Sequence, residues 1–554
     1  MTAPASPVNS AVHSEAAPTR VWLTPRGQII ALIVWLASTW LFAATAQLVP
    51  DEAYYWVWSR HLSLSYLDHP PMVAWLIRLG TLVAGPTELG VRWLNGLLAI
   101  CLVLMLTFAA QRLWKSTLAS GFTFLMLLVS PLISLLGTVV TPDTPACFFQ
   151  TVALLSAIWI FEGDAAGSDN SRVENERVGK HTSLLRGPRW ILFGLLIGLA
   201  MISKYTSVLC GLAVLAVLIV TGDGRGHLRT IWPWLGAIAS VVVFSPVLYW
   251  NKTHGWASFN FQLHHGLSGG DHGFFRNELD FVGSQLAVCT PVLFVILILA
   301  LIHFLRRRTA ASSESTPPVS SFARPTPMQM RLLLFATLAP LIFFAYSSVH
   351  RRIEANWPIF AYMPGTLLVA GYIAEKPLKS RLAWGKVAIQ VAFIGTAIIH
   401  VPTVIWKINP KWSTPQWEAI FGWRELAHDV AQVAGDSPVY SVDYEYASEM
   451  QFYLPNQPQV WPLRGDPRPT AYDFFPDRPE PSQTDRLILV RSRKDETPDA
   501  PDVRLRQRFG QMLFEHFQIF VNGRMIRRSL IVVASRIPAA TETVVSPLTP
   551  ATRK

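Results

Sequence analysis

Long apolar runs recur at about 27–49, 91–111, 117–137, 144–161, 190–220, 232–249, 282–305, 332–348, 358–374 and 384–406. Most approach the ~20 residues a helix needs to cross a bilayer, so the pattern predicts a polytopic α-helical membrane protein. Lys and Arg in the connections set its orientation. Arg112 and Lys115 share one connection, and Arg172, Arg177, Lys180, Arg186 and Arg189 share the next. Arg225 and Arg229 follow, then Arg306, Arg307, Arg308, Arg324 and Arg331, then Lys376, Lys379, Arg381 and Lys386. The positive-inside rule puts all of these in the cytoplasm. The run 190–220 has basic connections at both ends, so one span would strand one of them outside. A break at Ser203-Lys204-Tyr205-Thr206 removes the conflict and gives about 11 spans (11–13).

The outer face then collects residues 50–90, 138–144, the turn at Lys204, 250–281, 350–357 and everything after about 407. Residues 50–90 and 250–281 are aromatic and amphipathic, the pattern of short interfacial helices. Residues 162–189 and 309–330 are charged or Ser/Pro-rich and are expected to be flexible loops. Beyond 407 the period changes. Residues 438–442, 486–490 and 529–534 read as strands, and Asn522-Gly523 reads as a hairpin turn. Residues 421–433 and 445–453 read as helices. The expected organisation is a cytoplasmic tail 1–26, a membrane domain 27–406, a small periplasmic α/β domain 407–537 and a disordered tail 538–554.

Composition agrees and excludes other classes. The chain of 554 residues is 51% hydrophobic, too apolar for an ordinary soluble enzyme of this length. The net charge of +11 comes from residues flanking the apolar runs, which leaves no basic, aromatic-interleaved domain for nucleic acid. Cys101, Cys147, Cys210 and Cys289 all lie in or beside apolar runs, so no disulfide framework is expected outside the membrane. No small-residue cleavage site follows the first run, which is therefore expected to stay as a span.

The candidate chemistry gathers on the outer face. The segment 51–71 carries Asp51, Glu52, Tyr54, Tyr55, Asp68 and His69, and Thr-Pro-Asp-Thr-Pro presents Asp143. The later connections add Asn251, Arg351, Arg352, Glu354 and Asn356. Lys204 stands out, because an ionised lysine at the centre of a span costs ~2.5–3.5 kcal/mol. An anion such as a lipid phosphate would hold it there, whereas the plainer reading is a side chain that snorkels to the interface. Arg351 and Arg352 run against the positive-inside bias and suggest the same kind of partner, or a headgroup anchor. Asp51 and Glu52 read either as reactive acids or as helix-end charges, and Asp143 as an acid favoured by a helix N-terminus. His69, His264 and His265 match no zinc spacing and read as solvated or aromatic-packing residues.

Six ordered motifs carry a resemblance. They are Asp-Glu-Ala-Tyr-Tyr-Trp (51–56) with Asp-His-Pro-Pro (68–71), Thr-Pro-Asp (141–143), Ser-Lys-Tyr-Thr (203–206), Trp-Asn-x-x-His-x-Trp-x-Ser-Phe (250–259) and Glu-Ala-Asn-Trp-Pro (354–358). Over about 27–410 the chain resembles the bacterial glycosyltransferases related to protein O-mannosyltransferases and to the transferase that adds aminoarabinose to lipid A. The rhizobial-type lipid A galacturonosyltransferases look similar. The resemblance implies a GT-C fold in the inner membrane, a periplasmic active site and a polyprenyl-phosphate sugar donor. It maps the first catalytic acid to Asp51 and a second to Asp143, and Glu52 joins them as a candidate. Transfer is expected to invert the anomeric centre, with Lys204 and Arg351 or Arg352 stabilising the phosphate that leaves. Substrate-binding roles are expected for Tyr54, Tyr55, Asp68, His69, Asn251, Glu354 and Asn356. A divalent cation between Asp51 and Asp143 is the one cofactor considered, on the affinity of hard cations for carboxylates. Expected partners are membrane lipids, the donor lipid and an acceptor, with lipid A or core saccharide first and a protein second. A transporter of lipid-linked sugars is the different-class alternative, and it predicts charges along the spans in place of the observed cluster outside.

Overall fold

The structure, a computed structural model, describes residues 24–162, 175–267, 273–310, 325–376, 378–400, 419–463, 468–476, 484–492, 507–521 and 524–536. Its first part is helical: α1 (Pro25–Thr45), α2 (Pro50–Arg60), α3 (Met72–Ala84), α4 (Glu88–Trp114), α5 (Thr117–Leu128) and α6 (Pro131–Thr138). There follow α7 (Asp143–Glu162), α8 (Asn175–Met201), α9 (Val208–Val220), α10 (Gly222–Leu228), α11 (Trp232–Thr253) and α12 (Ala257–Leu267). The helical part closes with α13 (Phe274–Cys289), α14 (Pro291–Ala310), α15 (Pro327–Ser348), α16 (Tyr362–Glu375) and α17 (Leu378–His400). Among the described residues six helices are long and apolar enough to cross a membrane, or up to nine if three bent pairs each count as one span. The count of 11 also drew on Gly187–Met201 and Ala383–Ile398, which are shorter apolar helices.

Proline sets the bends. The run expected as one span over 282–305 is two helices, α13 and α14, meeting at 101° where Thr290 precedes Pro291. Proline disfavours a helical residue before it and cannot donate to the preceding turn. Pro131 likewise starts α6 at 54° to α5, with the Ser130 hydroxyl accepting the Leu132 N–H at 3.3 Å. The run 190–220 divides at Lys204, which is extended at φ −153° between α8 and the 3₁₀ turn Tyr205–Ser207. α8 begins at Asn175, inside a stretch expected as a flexible loop.

Burial sorts the helices. α7 and the run Trp357–Glu375 are 78% and 89% buried over their apolar windows, against 17% for α1 and for α11, so the former pair forms the centre and the latter the rim. α11 lies hard against α8. A Cβ on Gly194 would stand 1.8 Å from the Gly236 carbonyl oxygen, so the backbones approach this closely only because both residues are glycine.

The remaining chain forms α18 (Trp423–Ala434), β1 (Val439–Ser441), α19 (Tyr444–Tyr453), β2 (Trp461–Pro462), β3 (Arg486–Ser492), β4 (Gln511–Val521) and β5 (Arg524–Ser535). The sheet order is β2-β1-β3-β5-β4, parallel across β2-β1-β3 and antiparallel across β3-β5-β4. Val521 pairs with Arg524, and the expected turn Asn522-Gly523 between them lies outside the described residues, as does the tail 538–554. β4 and β5 run to 11 and 12 residues, longer than the short hairpin arms the sequence suggests, because β5 continues along β3.

This α/β unit docks on α2. The Phe452 ring meets Trp56 edge-on at 4.9 Å, and Tyr453 accepts the Leu48 N–H at 2.7 Å. Gln47 accepts the Trp423 N–H at 2.7 Å and donates to Glu425 at 3.1 Å. A single hydrophobic core joins α2 and α3 to the sheet and its helices. Within it Glu449 of α19 is fully buried, and neither carboxylate oxygen has a hydrogen-bond partner among the described residues.

Burial pushes the Glu449 pKa well above the ordinary carboxylate range, with Arg527 opposing the shift. A raised pKa means stability that is present below the unfolded value and is lost as pH rises through the folded value. Replacing Glu449→Met removes both the orphan polar atoms and the titration. The expected outcome is a gain of ~1–3 kcal/mol in the purified protein, larger at pH 9 than at pH 5 in thermal unfolding. A variant less stable than the parent at pH 9 would contradict it.

Candidate active site

Two adjacent acids on α2 meet opposite fates. Consecutive helical residues point ~100° apart, so Glu52 turns into the protein while Asp51 faces outward. Glu52 is fully buried and binds Arg92 in a fork, with Nη2 at 2.5 Å and Nε at 2.8 Å. Its oxygens also accept the N–H groups of Val49 at 3.0 Å and Val140 at 2.8 Å. Arg92 donates further to the carbonyls of Ala43, Ala46 and Gln47. This network ties α2 to α1, to α4 and to the segment before α7. Glu52, expected as a catalytic acid, is corrected: every direction of its carboxylate is occupied by protein, and it does not line the cavity described next.

Asp51 lines a cavity of about 600 Å³. Its polar and aromatic lining includes Tyr54, Tyr55, Asp68, His69, Tyr444 and Arg468. Its apolar lining includes Val208 and Leu209 of α9, Leu263 of α12 and Phe343 and Phe344 of α15. Lys204 and Glu354 also reach the cavity. Asp51 is open to the cavity, and among the described residues its carboxylate makes no hydrogen bond or ion pair. Enclosure by protein raises its pKa to about 6, with the Asp68 charge adding to the effect and Arg468 opposing it. It is the free, poised acid of the site.

Its neighbours are paired. Asp68 accepts the Tyr54 hydroxyl at 2.9 Å and an Arg468 N–H at 2.7 Å. The Arg468 guanidinium lies over the rings of Tyr444 and Phe261, at 5.2 and 5.4 Å. Tyr54 also accepts the Ala471 N–H at 2.5 Å, which fixes segment 468–471 to α2. Across the cavity Lys204 Nζ donates to Asp143 at 2.6 Å, and the other Asp143 oxygen accepts from Asn356 at 2.6 Å. The Met72 N–H bonds the Ile202 carbonyl at 3.1 Å, which joins the turn after Asp-His-Pro-Pro to the break before Lys204.

Asp143 and Asn356 therefore stand one layer behind Lys204 and do not line the cavity. Asn251 is also off it. Fully buried, it donates to the Val247 carbonyl and accepts the Phe259 N–H, which sets the corner between α11 and α12. Arg351 reaches the cavity only through Trp357, lying over that ring at 5.4 Å, and Arg352 is exposed elsewhere. The expectation that these arginines face the site is corrected, since the cavity arginine is Arg468. No local motif marks Arg468 or Tyr444, because only the docking of the α/β unit brings them to α2. Arg92 did leave a signal, as an ionisable residue at the start of an apolar run.

Among the described residues no group of three or more His, Cys, Asp or Glu side chains is arranged to hold a metal ion. Asp143, one of the two acids considered for a divalent cation, accepts from Lys204 with one oxygen and from Asn356 with the other. His264 bonds the Asn260 carbonyl, while the His265 side chain lies outside the described residues.

Comparison with known proteins follows the same lines. The model of a family described as dolichyl-phosphate-mannose-protein mannosyltransferase matches residues 68–166 and 183–250. The lipid A galacturonosyltransferase RgtD of Rhizobium johnstonii is 24% identical over 362 residues, and the match spans 62% of this chain and 65% of that protein. ArnT from Cupriavidus metallidurans superposes with TM-scores of 0.60 in the apo state and 0.59 bound to undecaprenyl phosphate. Identity is 16% and 17%, over 91% and 92% of this chain and 97% and 98% of those chains. The fold is the ArnT-like GT-C fold, mostly helical with a small sheet, and the chain resembles the PMT-like GT-C glycosyltransferases.

The two acids of α2 are expected to respond oppositely to neutralisation. Glu52→Gln leaves Arg92 buried without its counter-charge and is expected to cost ~3–5 kcal/mol in thermal unfolding. Asp51→Asn removes a group whose folded pKa, about 6, exceeds the ordinary 3.8, so charging it destabilises the fold as pH rises through about 6. Because the cavity admits water, screening leaves a gain of about 1 kcal/mol at pH 7.5, vanishing below pH ~4. Destabilisation by Asp51→Asn at pH 7.5 would contradict the assignment.

Proposed function

We propose that this chain moves a sugar from a polyprenyl-phosphate-linked donor to lipid A or the core saccharide of lipopolysaccharide, on the periplasmic side of the inner membrane. The observation that carries the reading is the mixed lining of one cavity. Its apolar side chains suit a lipid chain, and its charged and aromatic side chains suit a phosphate and a sugar. The relatives support it: RgtD is a lipid A galacturonosyltransferase, and ArnT has been solved bound to undecaprenyl phosphate.

The groups divide the work by their pairing. An ammonium carries three N–H donors. Lys204 spends at least one on Asp143, which fixes its direction, and it presents the rest toward the cavity. Arg468, bound to Asp68 and to the Tyr444 hydroxyl, adds a second positive charge to the cavity lining. These cations take the phosphate, whose charge is localised as the bond from the anomeric carbon to the phosphate oxygen breaks. An acceptor oxygen attacks that carbon from the opposite face, so the configuration inverts and polyprenyl phosphate leaves. Asp51, unpaired and with a pKa near 6, accepts the proton where the acceptor is a hydroxyl. Where the acceptor is a phosphate already ionised, it has no proton to give up and Asp51 is not needed as a base. Asp143 and Asn356 act through Lys204 as positioning residues.

The family description naming a protein mannosyltransferase favours a second reading, transfer to a protein hydroxyl. Mass spectrometry of lipid A, core saccharide and periplasmic proteins from a deletion strain separates the two. The expected result is one sugar lost from lipid A or core, restored by the wild-type chain and not by Asp51→Asn. Loss confined to glycopeptides selects the protein acceptor. Full restoration by Asp51→Asn removes that carboxylate from the chemistry, and an unchanged glycan profile overturns transfer in favour of transport.

A further inference from the structure

A second, smaller cavity of about 190 Å³ lies between the loop after α2, the end of α11 and segment 471–476 of the α/β unit. It backs onto the first through the loop 61–69. Ser65 lines the small cavity and Tyr205 lines the large one, with their hydroxyls 3.4 Å apart, while Leu67 and Asp68 are successive residues on the two sides. Aromatic side chains make up much of its lining. His61 stacks on Phe475 at 4.5 Å and 18°, and Trp250 meets Phe474 at 5.5 Å. The rings are held from behind: Gln459 bonds His61 at 2.9 Å, His254 stacks on Trp250 at 4.2 Å, and Tyr66 bonds the carbonyls of Trp58 and His61. Ser63 and Ser65 add hydroxyls to the lining.

We infer that this cavity is a saccharide subsite that takes one pyranose ring of the acceptor glycan. Among the described residues its lining has no Asp, Glu, Lys or Arg, which favours an uncharged ring over a phosphate or a carboxylate. Its volume leaves room for a single ring and not for a long lipid chain. Aromatic side chains beside short hydroxyl side chains match a pyranose, whose C–H face is apolar and whose edge carries hydroxyls. The position makes the subsite useful. A ring held here is separated from Asp51 by the loop 61–69, so the next unit of the same glycan must pass around that loop to reach the transfer cavity. Both cavities need the α/β unit, since Ala471, Phe474 and Phe475 close one and Tyr444 and Arg468 the other.

The inference rests on the transfer reading for its biological meaning but is tested by binding alone. Methyl glycosides of galactose, mannose and N-acetylglucosamine are titrated at millimolar concentration into the full-length protein in detergent, read by saturation-transfer difference NMR. The expected result is binding of at least one glycoside that falls about tenfold or more in Phe474→Ala and in Ser63→Ala, and persists in Asp51→Asn. In a transfer assay, Phe474→Ala is expected to raise the acceptor KM about tenfold with kcat unchanged. The inference is overturned if no glycoside binds the wild-type chain, if Phe474→Ala and Ser63→Ala bind as the wild type does, or if Asp51→Asn alone abolishes binding. Binding that depends on Phe474 in a chain without transferase activity would sink the transfer reading and leave the subsite standing.

Discussion

A guanidinium buried in an apolar membrane scaffold must be fully satisfied, and the organisation of the site follows from how Arg92 meets that demand. Its donors are spent on the Glu52 carboxylate and on three carbonyls at the end of α1 and just beyond it. Breaking any part of the network would leave a charge in a medium that cannot solvate it. The network therefore fixes where α2 sits and how it is rotated. With Glu52 committed inward, helix geometry puts Asp51 on the cavity. The carboxylate that lines the cavity is held in place by the buried one beside it.

The same logic separates the other charged residues. Asp143 fills both oxygens with Lys204 and Asn356, and Asp68 binds Arg468 and Tyr54, so each acid orients a cation or a tyrosine. Asp51 alone of these three aspartates keeps both oxygens free. A pKa near 6 is what an acid surrounded by protein, close to Asp68 and only partly balanced by Arg468, should show. The proposed division of phosphate recognition and proton transfer between different groups rests on this pairing.

The α/β unit belongs to the site as well as to the fold. α19 packs on α2, the Ala471 N–H bonds Tyr54, and Arg468 closes on Asp68. An aromatic helix such as α2 would expose a large apolar face without this cover. Burying that face brings Tyr444 and Arg468 to the rim, so one packing event both stabilises α2 and completes the charged lining.

Much of this was legible in the chain. Apolar runs gave the membrane class, because a bilayer imposes a minimum length on any span. Basic flanks gave the break at Lys204, and ordered motifs gave the GT-C resemblance and gathered Asp51, Asp68, Lys204 and Glu354, all of which line the cavity. Period-2 runs located strands at Val439–Ser441, Arg486–Ser492 and within Arg524–Ser535. Tertiary structure decided the rest. Sequence could not say which of Asp51 and Glu52 turns inward, because the rotation of α2 is set by Arg92, forty positions away. Nor could it replace Arg351 and Arg352 with Arg468, because that contact joins residues four hundred positions apart. Span length, helix breaks and periodicity are local properties that a chain carries with it. The partner of a buried charge is a property of the packed whole.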